Sequence, residues 1–338
     1  MIGQENRLVE RKTVAILKVL SDSATPLGGR VIARRLSDLG YELGERAVRY
    51  HLKLMDQRGF TQIAGKKDGR LITSAGLHEL RSALVSDRLG YVAARIGLLA
   101  YGTTFDPERR KGQIPIDVSL FARNELSHAL ESMQGVFNAG LCVSDLVAIG
   151  REGDQLGEVT VPQGKVGLAT VSCIAVSGAL LKAGIPVVSR FEGLLELRDH
   201  KAIRFTELVD YSGCSFVPAE VFIASRMTGV RKASAEGDGK ILASFLELPF
   251  LCKQGAETML ERLRAAGFDG VIKMGEANEP LCEVSTGVNR VGLIVKHGLN
   301  PAAAAAEAGI EVTSRAMSGV MEHRQLTRIR ELRQGCKR

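Results

Sequence analysis

Residues 165–187 read KVGLATVSCIAVSGALLKAGIPV, and residues 290–312 read RVGLIVKHGLNPAAAAAEAGIEV. VGL stands near the start and AGI near the end of both stretches, 125 positions apart. Gly150 and Gly275 keep the same offset. Because chance rarely preserves a register over so many positions, the sequence predicts an internal duplication.

Each copy reads as strand, turn, strand, helix and strand, preceded by a further helix. The first copy (about 136–200) has predicted strands at 146–149, 166–171 and 187–190, a helix at 175–183 and a preceding helix at 124–133. The second (about 260–323) has strands at 271–273, 291–295 and 311–314, a helix at 301–308 and a preceding helix at 256–265. We expect βαβ-like units in an α/β (α+β) body, with two similar lobes facing each other and the pocket between them.

The net positive charge lies entirely in the N-terminal part of the chain. Residues 1–95 hold 17 Lys and Arg against 10 Asp and Glu, a net of +7, whereas the remaining residues hold 28 of each sign. A basic module joined to a neutral body is the pattern expected when one end binds a polyanion such as DNA. A merely well-solvated basic domain is the alternative.

The basic module reads as a winged helix-turn-helix. Predicted helices at 10–20, 29–39 and 45–58 precede two short strands at 60–63 and 70–72, whose connecting tip reads AGKKDG. In this layout the third helix enters the major groove and the hairpin lies along the backbone. We therefore predict a DNA-binding domain at 1–85, a connecting segment at 86–112 that contains a helix at 87–101, and an effector-binding domain at 113–335.

Candidate DNA contacts follow from residue type and position. Arg46 and Arg49 share a helix face, and arginine reads guanine edges bidentately. The other candidates on that helix are Tyr50, His51 and Lys53, and the candidates for phosphate contacts are Lys66, Lys67 and Arg70. A solvated face or a protein-binding surface is the alternative, and His51 is equally well explained as a packing residue.

Candidate effector contacts lie at the starts of two helices and in the hydroxyl-rich segment 210–218 between the copies. Asn300 before Pro301 suits a helix cap, and the adjacent backbone N–H groups would form an anion site. Arg190 suits a carboxylate clamp. The full candidate set is Thr170, Ser172, Cys173, Arg190, Tyr211, Ser212, Gly213, Cys214, Ser215, Gly298 and Asn300. Ordinary helix capping and a surface loop are the alternative for each of them.

Several other classes of protein are disfavoured. The six cysteines contain no C-x-x-C pair, which argues against a zinc site and a disulfide scaffold and favours reduced thiols in the cytoplasm. The polar stretch 1–11 does not read as a secretory signal, and 166–188 reads as a buried strand and helix rather than a membrane span. No P-loop, G-x-S-x-G or H-E-x-x-H motif is present. We therefore predict no catalytic residue, no metal ligand and no cofactor.

Taken together, the motifs resemble those of the NrpR family of nitrogen-regulatory repressors. They are the winged helix, TTFDP at 103–107, KVGLATVSC and LLKAGIPV within 165–187, FTELVDYSG at 205–213 and GLNPAAA at 298–304. The resemblance covers nearly the whole chain. It implies a homodimeric repressor that binds a palindromic operator in double-stranded DNA near nitrogen-assimilation genes, and that 2-oxoglutarate, a small dicarboxylate, relieves repression as its effector.

Two other hypotheses stay open on the sequence alone. One is an α/β small-molecule enzyme that carries a DNA-binding head. The other is a repressor that senses a different ligand, or a redox state through Cys173 or Cys214.

Overall fold

The computed structural model describes residues 2–23, 25–64, 69–82 and 90–335. The N-terminal module contains the predicted helices and hairpin: α1 (Ile2–Ser21), α2 (Gly29–Asp38), α3 (Glu45–Gln57), β1 (Thr61–Ile63), β2 (Arg70–Ile72) and α4 (Ser74–Ser82). β1 and β2 pair antiparallel, and Leu27 bridges to Arg70 at the edge of the hairpin. Apolar residues at helical spacing form the core, among them Ile16, Ile32, Leu36, Val48 and Leu52.

A connecting helix, α5 (Tyr91–Gly102), leads from this module into the body. The segment after it is anchored by Phe105, whose ring lies 4.6 Å from Phe268 and 5.2 Å from His323 between centroids. The start of this segment also lies close to the body, because a Cβ at Gly178 would overlap the Thr103 side chain. The TTFDP segment therefore fixes α5 against the body.

The body contains two copies of one order of elements. The first copy is β3 (Gln113–Ala122), α6 (Leu126–Asn138), β4 (Leu146–Gly150), β5 (Gln155–Leu156), β6 (Val159–Thr160), β7 (Lys165–Val171), α7 (Ile174–Lys182) and β8 (Val188–Arg198). β9 (Lys201–Asp210), α8 (Pro218–Ala224) and α9 (Val230–Glu236) link it to the second copy. The second copy is β10 (Gly239–Pro249), α10 (Lys253–Ala265), β11 (Val271–Met274), β12 (Arg290–Lys296), α11 (Asn300–Glu307), β13 (Thr313–Arg315) and β14 (Val320–Glu322), followed by β15 (Thr327–Arg328) and α12 (Ile329–Gly335). The duplication predicted from the sequence is confirmed.

The two copies exchange their last strands. One sheet has the order β11-β12-β10-β8-β9, so β8 of the first copy pairs with β10 of the second. The other has the order β13-β3-β7-β4-β15, so β13 of the second copy pairs with β3 of the first, as does β14. Each sheet is thereby completed by the other copy, and the two halves interlock.

The expected βαβ-like units are present in split form: β3 and β4 run in the same direction on either side of β7 and are joined by α6, as β10 and β11 are on either side of β12 by α10. β3, β7 and β4 pair antiparallel, as do β10, β12 and β11. The sequence pattern identified the strands but could not show that each last strand leaves its own copy. Among the described residues, none of the helices has both the length and the apolar character needed to cross a bilayer.

Candidate DNA-binding surface and central cavity

The outer face of α3 is basic and accessible. Arg46, Arg49, Tyr50 and Lys53 are exposed there, while Val48, Leu52 and Met55 hold the opposite face in the core. Arg49 pairs with Glu45 at 2.8 Å, and Arg30 of α2 reaches the same carboxylate at 3.3 Å. The hydrogen bond from Arg30 makes the largest contribution to lowering the pKa of Glu45. This pairing orients Arg49 toward the start of the helix.

Two candidates on this module do not lie on the accessible face. His51 is buried on the inner face of α3, and burial lowers the pKa of its imidazole, which matches the packing alternative. Arg70 is only 15% exposed and pairs with Asp56 at 3.0 Å, while the Thr61 hydroxyl donates to the same carboxylate at 2.6 Å. Arg70 therefore fixes the base of the hairpin to α3. Lys66 and Lys67 lie outside the described residues.

A cavity lies in the centre of the body, where the two copies meet. Ser172 and His297 are equivalent, because each is the first residue after its strand, β7 or β12. Asp117 and Ser244 are also equivalent, each lying five residues before the end of its strand, β3 or β10. We call the turns that follow β7 and β12, at Ser172–Cys173 and His297–Gly298, the two junctions. Ser172, His297 and Ser244 all line the cavity, which therefore lies where the equivalent parts of the two copies face each other.

The cavity is small and is lined by both polar and apolar side chains. Its volume is about 20 Å³, enough for roughly one or two water molecules. The polar lining residues are Ser172, Cys173, Ser177, Ser189, Glu192, Tyr211, Ser244 and His297. Ile96 of α5 and Met317 of the segment between β13 and β14 also form part of the wall.

Three charged side chains are almost completely buried beside this cavity. His297 Nε2 lies 2.7 Å from Glu192 Oε1, and His297 Nδ1 lies 3.9 Å from Asp117 Oδ2. The Leu299 amide donates to Nδ1 at 3.1 Å, so this nitrogen accepts in the neutral ring; forming the imidazolium would break this hydrogen bond and place an N–H toward Asp117. The buried carboxylates thus share one histidine.

Burial and charge shift the ionisation of this cluster. Burial alone would lower the pKa of His297, but Cys173 and Glu192 beside the ring raise it well above its usual value. Burial raises the pKa of Asp117, although His297 and the Met317 amide oppose that shift. Burial and the nearby Glu192 raise the pKa of the Tyr211 hydroxyl, so this hydroxyl remains a hydrogen-bond donor.

Several effector candidates meet at the cavity. Ser172, Cys173 and Tyr211 line it, and the Cys173 thiol and the Tyr211 hydroxyl each lie 3.4 Å from the Ser244 hydroxyl. Gly298 adjoins them, since a Cβ there would overlap the Val171 carbonyl and the Asp117 carboxylate. These four candidates form one continuous group.

Two candidates have structural contacts instead. The Thr170 hydroxyl donates to the Gly298 carbonyl at 2.8 Å. The Asn300 amide accepts from the Leu242 N–H at 2.9 Å and donates to the carbonyls of Leu141 at 2.8 Å and Leu242 at 3.0 Å. The expected cap at Asn300 is wrong, because the helix is capped at Leu299 without a side-chain hydrogen bond. Asn300 instead ties α11 to β10.

The remaining candidates lie away from the cavity lining. Arg190 pairs with Glu247 at 3.0 Å and is 38% exposed, so its guanidinium already has a carboxylate partner. Ser212 and Gly213 are exposed, Ser215 is half-buried, and the buried Cys214 thiol donates to the Phe216 carbonyl at 2.6 Å. The segment 210–218 thus contributes Tyr211 and Val217 to the lining, whereas its serine hydroxyl groups lie outside the lining.

Asp117, Glu192 and the His297 side chain were not among the candidates. A signal was available for the two carboxylates: Asp117 interrupts the apolar run IPIDVSLFA, and Glu192 interrupts RFEGLLEL. A lone acid inside a buried strand needs a partner, which marks a site. Among the described residues, no group of three or more His, Cys, Asp or Glu side chains is arranged to hold a metal ion.

Comparisons with known proteins match both parts of the chain. Residues 89–328 match the family described as NrpR regulatory domains NRD1 and 2, and residues 14–80 match the winged-helix domain of ribonuclease R. The chain therefore combines a winged helix with a duplicated regulatory domain, which is the architecture of a transcription regulator.

The relatives specify the family. The chain is 36% identical over 321 residues to the global nitrogen regulator NrpRI of Methanosarcina mazei, covering 95% of this chain and 98% of that protein. It is 30% identical over 326 residues to the global nitrogen regulator NrpR of Methanocaldococcus jannaschii, covering 96% of this chain and 56% of that protein. The chain belongs to the NrpR family of nitrogen regulators.

A solved structure shares the fold of the body. The crystal structure of a nitrogen repressor-like protein from Methanococcus jannaschii superposes with a TM-score of 0.61 at 21% identity. The match covers 71% of this chain and 99% of the other. At this level of identity the likeness concerns the fold alone.

Proposed function

We propose that this chain is a cytoplasmic, homodimeric repressor that binds a palindromic operator of nitrogen-assimilation genes, and that 2-oxoglutarate weakens this binding from the central cavity. The observation that carries the proposal is the position of α5. This helix is the next described element after the winged helix in the chain, and its Ile96 forms part of the cavity wall. A change in the cavity therefore acts on the helix that carries the DNA-binding module.

The exposed face of α3 supports the DNA-binding part of the proposal. Arg46, Arg49, Tyr50 and Lys53 are free of the core and lie on the helix that enters the major groove in this fold. Arg49 would exchange Glu45 for a base or a phosphate on binding. In a symmetric dimer two such helices would read half-sites about one helical turn apart.

The effector part rests on the two junctions that face the cavity. They contribute Ser172, Cys173 and His297 to the lining, and a protonated His297 would be the positive charge beside a bound anion, whereas Asp117 and Glu192 oppose an anion. A dicarboxylate would bind best when His297 is charged and Asp117 is protonated. Because the cavity holds only about 20 Å³, such a ligand has to open it, and so favours a different conformation from the one described.

The test is fluorescence anisotropy of the full chain on its own promoter DNA, titrated with 2-oxoglutarate at fixed salt. We expect specific binding and release on adding 2-oxoglutarate. The Arg46→Ala and Arg49→Ala double variant should lose specific binding, since each bidentate contact contributes about 1–3 kcal/mol. Lys201→Ala, an exposed lysine on the body, is the matched control.

The outcomes separate the two parts of the proposal. Specific binding without any response to 2-oxoglutarate would retain the repressor and reject this effector. Equal affinity of the double variant and the Lys201→Ala control would reject the assignment of α3 as the reading helix.

A further inference from the structure

The turn between β13 and β14 is held by two acidic side chains. The Ala316 amide donates to Glu220 Oε1 at 2.9 Å, and the Met317 amide donates to Asp117 Oδ1 at 2.9 Å. Met317 has a φ of 55°, a left-handed conformation that is uncommon for a residue other than glycine. Surrounding contacts therefore have to maintain this turn.

Arg95 of the connecting helix α5 holds the other side of the same turn. Its guanidinium donates to the Met317 carbonyl from Nη2 at 3.1 Å and from Nε at 3.3 Å. It also pairs with Glu158 at 2.8 Å, and the Glu158 amide donates to the Ser318 carbonyl at 2.7 Å. The Arg95 side chain is only 21% exposed, so these contacts are largely shielded from solvent.

Met317 thus connects three parts of the molecule. Its side chain lines the cavity, its N–H binds the buried Asp117, and its C=O binds α5. Ile96, the neighbour of Arg95, lines the same cavity. Any ligand that enlarges the cavity by displacing Met317 must therefore change the hydrogen bonds to Arg95.

The far end of α5 reaches the DNA-binding module. The Tyr91 hydroxyl lies 3.0 Å from the Tyr41 hydroxyl. Tyr41 belongs to the turn between α2 and α3, directly before the helix that carries Arg46 and Arg49. A displacement of α5 is therefore transmitted to the part of the winged helix that orients α3.

We propose that Arg95 is the positioning residue that couples the central cavity to the DNA-binding module, through its hydrogen bonds to the Met317 turn. The inference rests on the proposed function, and it names the element through which the effector acts. In the conformation described, the turn and α5 are joined. Ligand entry displaces Met317, breaks or redirects the contacts with Arg95, and lets α5 and the winged helix reorient.

The first test measures coupling in the full chain. For wild type, Arg95→Ala and Arg95→Lys, DNA affinity is measured by anisotropy with and without 2-oxoglutarate, and 2-oxoglutarate affinity by calorimetry. If wild type shows a coupling of about tenfold, Arg95→Ala should bind both ligands while its coupling falls toward one, and Arg95→Lys should recover part of it. Arg109→Ala, an exposed linker arginine paired with Asp106, is the control and should keep the wild-type coupling. Undiminished coupling in Arg95→Ala would overturn the inference. A purely structural role of Arg95 would not alter this ratio selectively, so a selective loss of coupling supports the inference.

The second test needs no effector and remains valid if wild type does not respond to 2-oxoglutarate, a result that would reject the proposed effector alone. Hydrogen exchange is compared for wild type, Asp117→Ala and Met317→Gly, and each of the three is measured both with and without the additional substitution Arg95→Ala. We expect both cavity-side variants to speed exchange in the turn and in α5. Arg95→Ala should confine their effect to the turn. If α5 exchanges at the wild-type rate in Met317→Gly, or in a folded Asp117→Ala protein, the inference is wrong.

Discussion

The last strands of the two copies occupy equivalent places but have different shapes. β8 is a single strand of 11 residues that pairs along β10 with one register shift, whereas the equivalent path along β3 is split into β13 and β14 of 3 residues each. β8 completes its sheet and brings Glu192 to the cavity beside His297. The break in the second copy creates the Met317 turn, where the connecting helix is fixed by Arg95.

The same asymmetry extends into the cavity. Glu192 and Met317 are equivalent, because each lies four residues after the start of its last strand. The equivalent pairs at the cavity are Asp117 with Ser244, Ser172 with His297, Cys173 with Gly298, and Glu192 with Met317. The duplication kept the backbone while each pair diverged, so a symmetric scaffold carries a cavity with one histidine and two acids.

The largest effect is expected when His297 is replaced by its equivalent. His297→Ser leaves Glu192 as a buried carboxylate without its partner, and breaking a buried pair in this way costs about 3–5 kcal/mol. Urea unfolding should show this loss of stability. In the double variant His297→Ser with Glu192→Met, both members of these two equivalent pairs become the same residue type. This double variant should recover part of the lost stability.

Ser172→Ala is the matched control for this comparison, since it alters the equivalent junction without removing a charge. A His297→Ser protein no less stable than Ser172→Ala would mean that the imidazole does not stabilise the buried carboxylates.

A feature of the fold or of the cavity could be predicted from the sequence only where residues close together in the chain determine it. The repeat at an offset of 125 positions predicted the duplication, and the three-residue spacing of Arg46 and Arg49 predicted their shared exposed face. Local patterns describe one element at a time, so they did not show that β8 and β13 change sheets. The role of Glu192 follows from that exchange, because β8 carries this acid into the sheet of β12, which His297 follows, whereas Asp117 of β3 meets His297 where the two copies pack together.

Asn300 and Arg70 show the same limit at single residues. Each was a reasonable candidate by type, a helix cap and a phosphate contact. The structure instead gives Asn300 three backbone hydrogen bonds and Arg70 a partner in Asp56. Their partners are distant in sequence, so the contacts follow from tertiary packing, which spacing along the chain does not encode.

The next effect is a pH dependence specific to the broken strand. Burial raises the pKa of Glu220, which accepts from the Ala316 amide, to about 7, whereas the equivalent place in the first copy is held by pairing of Phe191 with Phe245. An acid whose folded pKa is raised binds more protons when folded, so stability falls as pH rises from about 4.5 to about 7. The full loss is on the order of 3 kcal/mol at 1.36 kcal/mol per unit.

Glu220→Gln should flatten this part of the profile, because the amide keeps an acceptor for Ala316 without a charge. Urea unfolding at several pH values provides the measurement, with Glu236→Gln on the exposed end of α9 as the control. An unchanged slope in Glu220→Gln would show that this carboxyl does not titrate in the range given.

A smaller effect is expected from steric differences at the second junction residue. Cys173 has room for a side chain, but a Cβ at Gly298 would overlap the Val171 carbonyl and the Asp117 carboxylate. Gly298→Ala should lower the free energy of unfolding by about 1–3 kcal/mol, the usual cost of overpacking. Gly255→Ala, within α10 and at ordinary contact distance from Ile185, should be neutral or stabilising. Equal stability of the two variants would mean that the Gly298 junction can move apart without cost.

The smallest effect is expected at Cys173 itself, and it separates a ligand response from a thiol response. The serine hydroxyl of Cys173→Ser can replace the thiol beside Ser244, so the midpoint of 2-oxoglutarate-induced DNA release should shift by roughly threefold or less, which is about 0.7 kcal/mol. Cys214→Ser, whose thiol donates to the Phe216 carbonyl in its own loop and lies outside the cavity lining, should shift it even less. Complete loss of the response in Cys173→Ser, with Cys214→Ser unaffected, would favour chemistry at the thiol over simple ligand binding. Cys173 would then be the sensing residue, and its equivalent Gly298 would serve only to let the two copies approach each other.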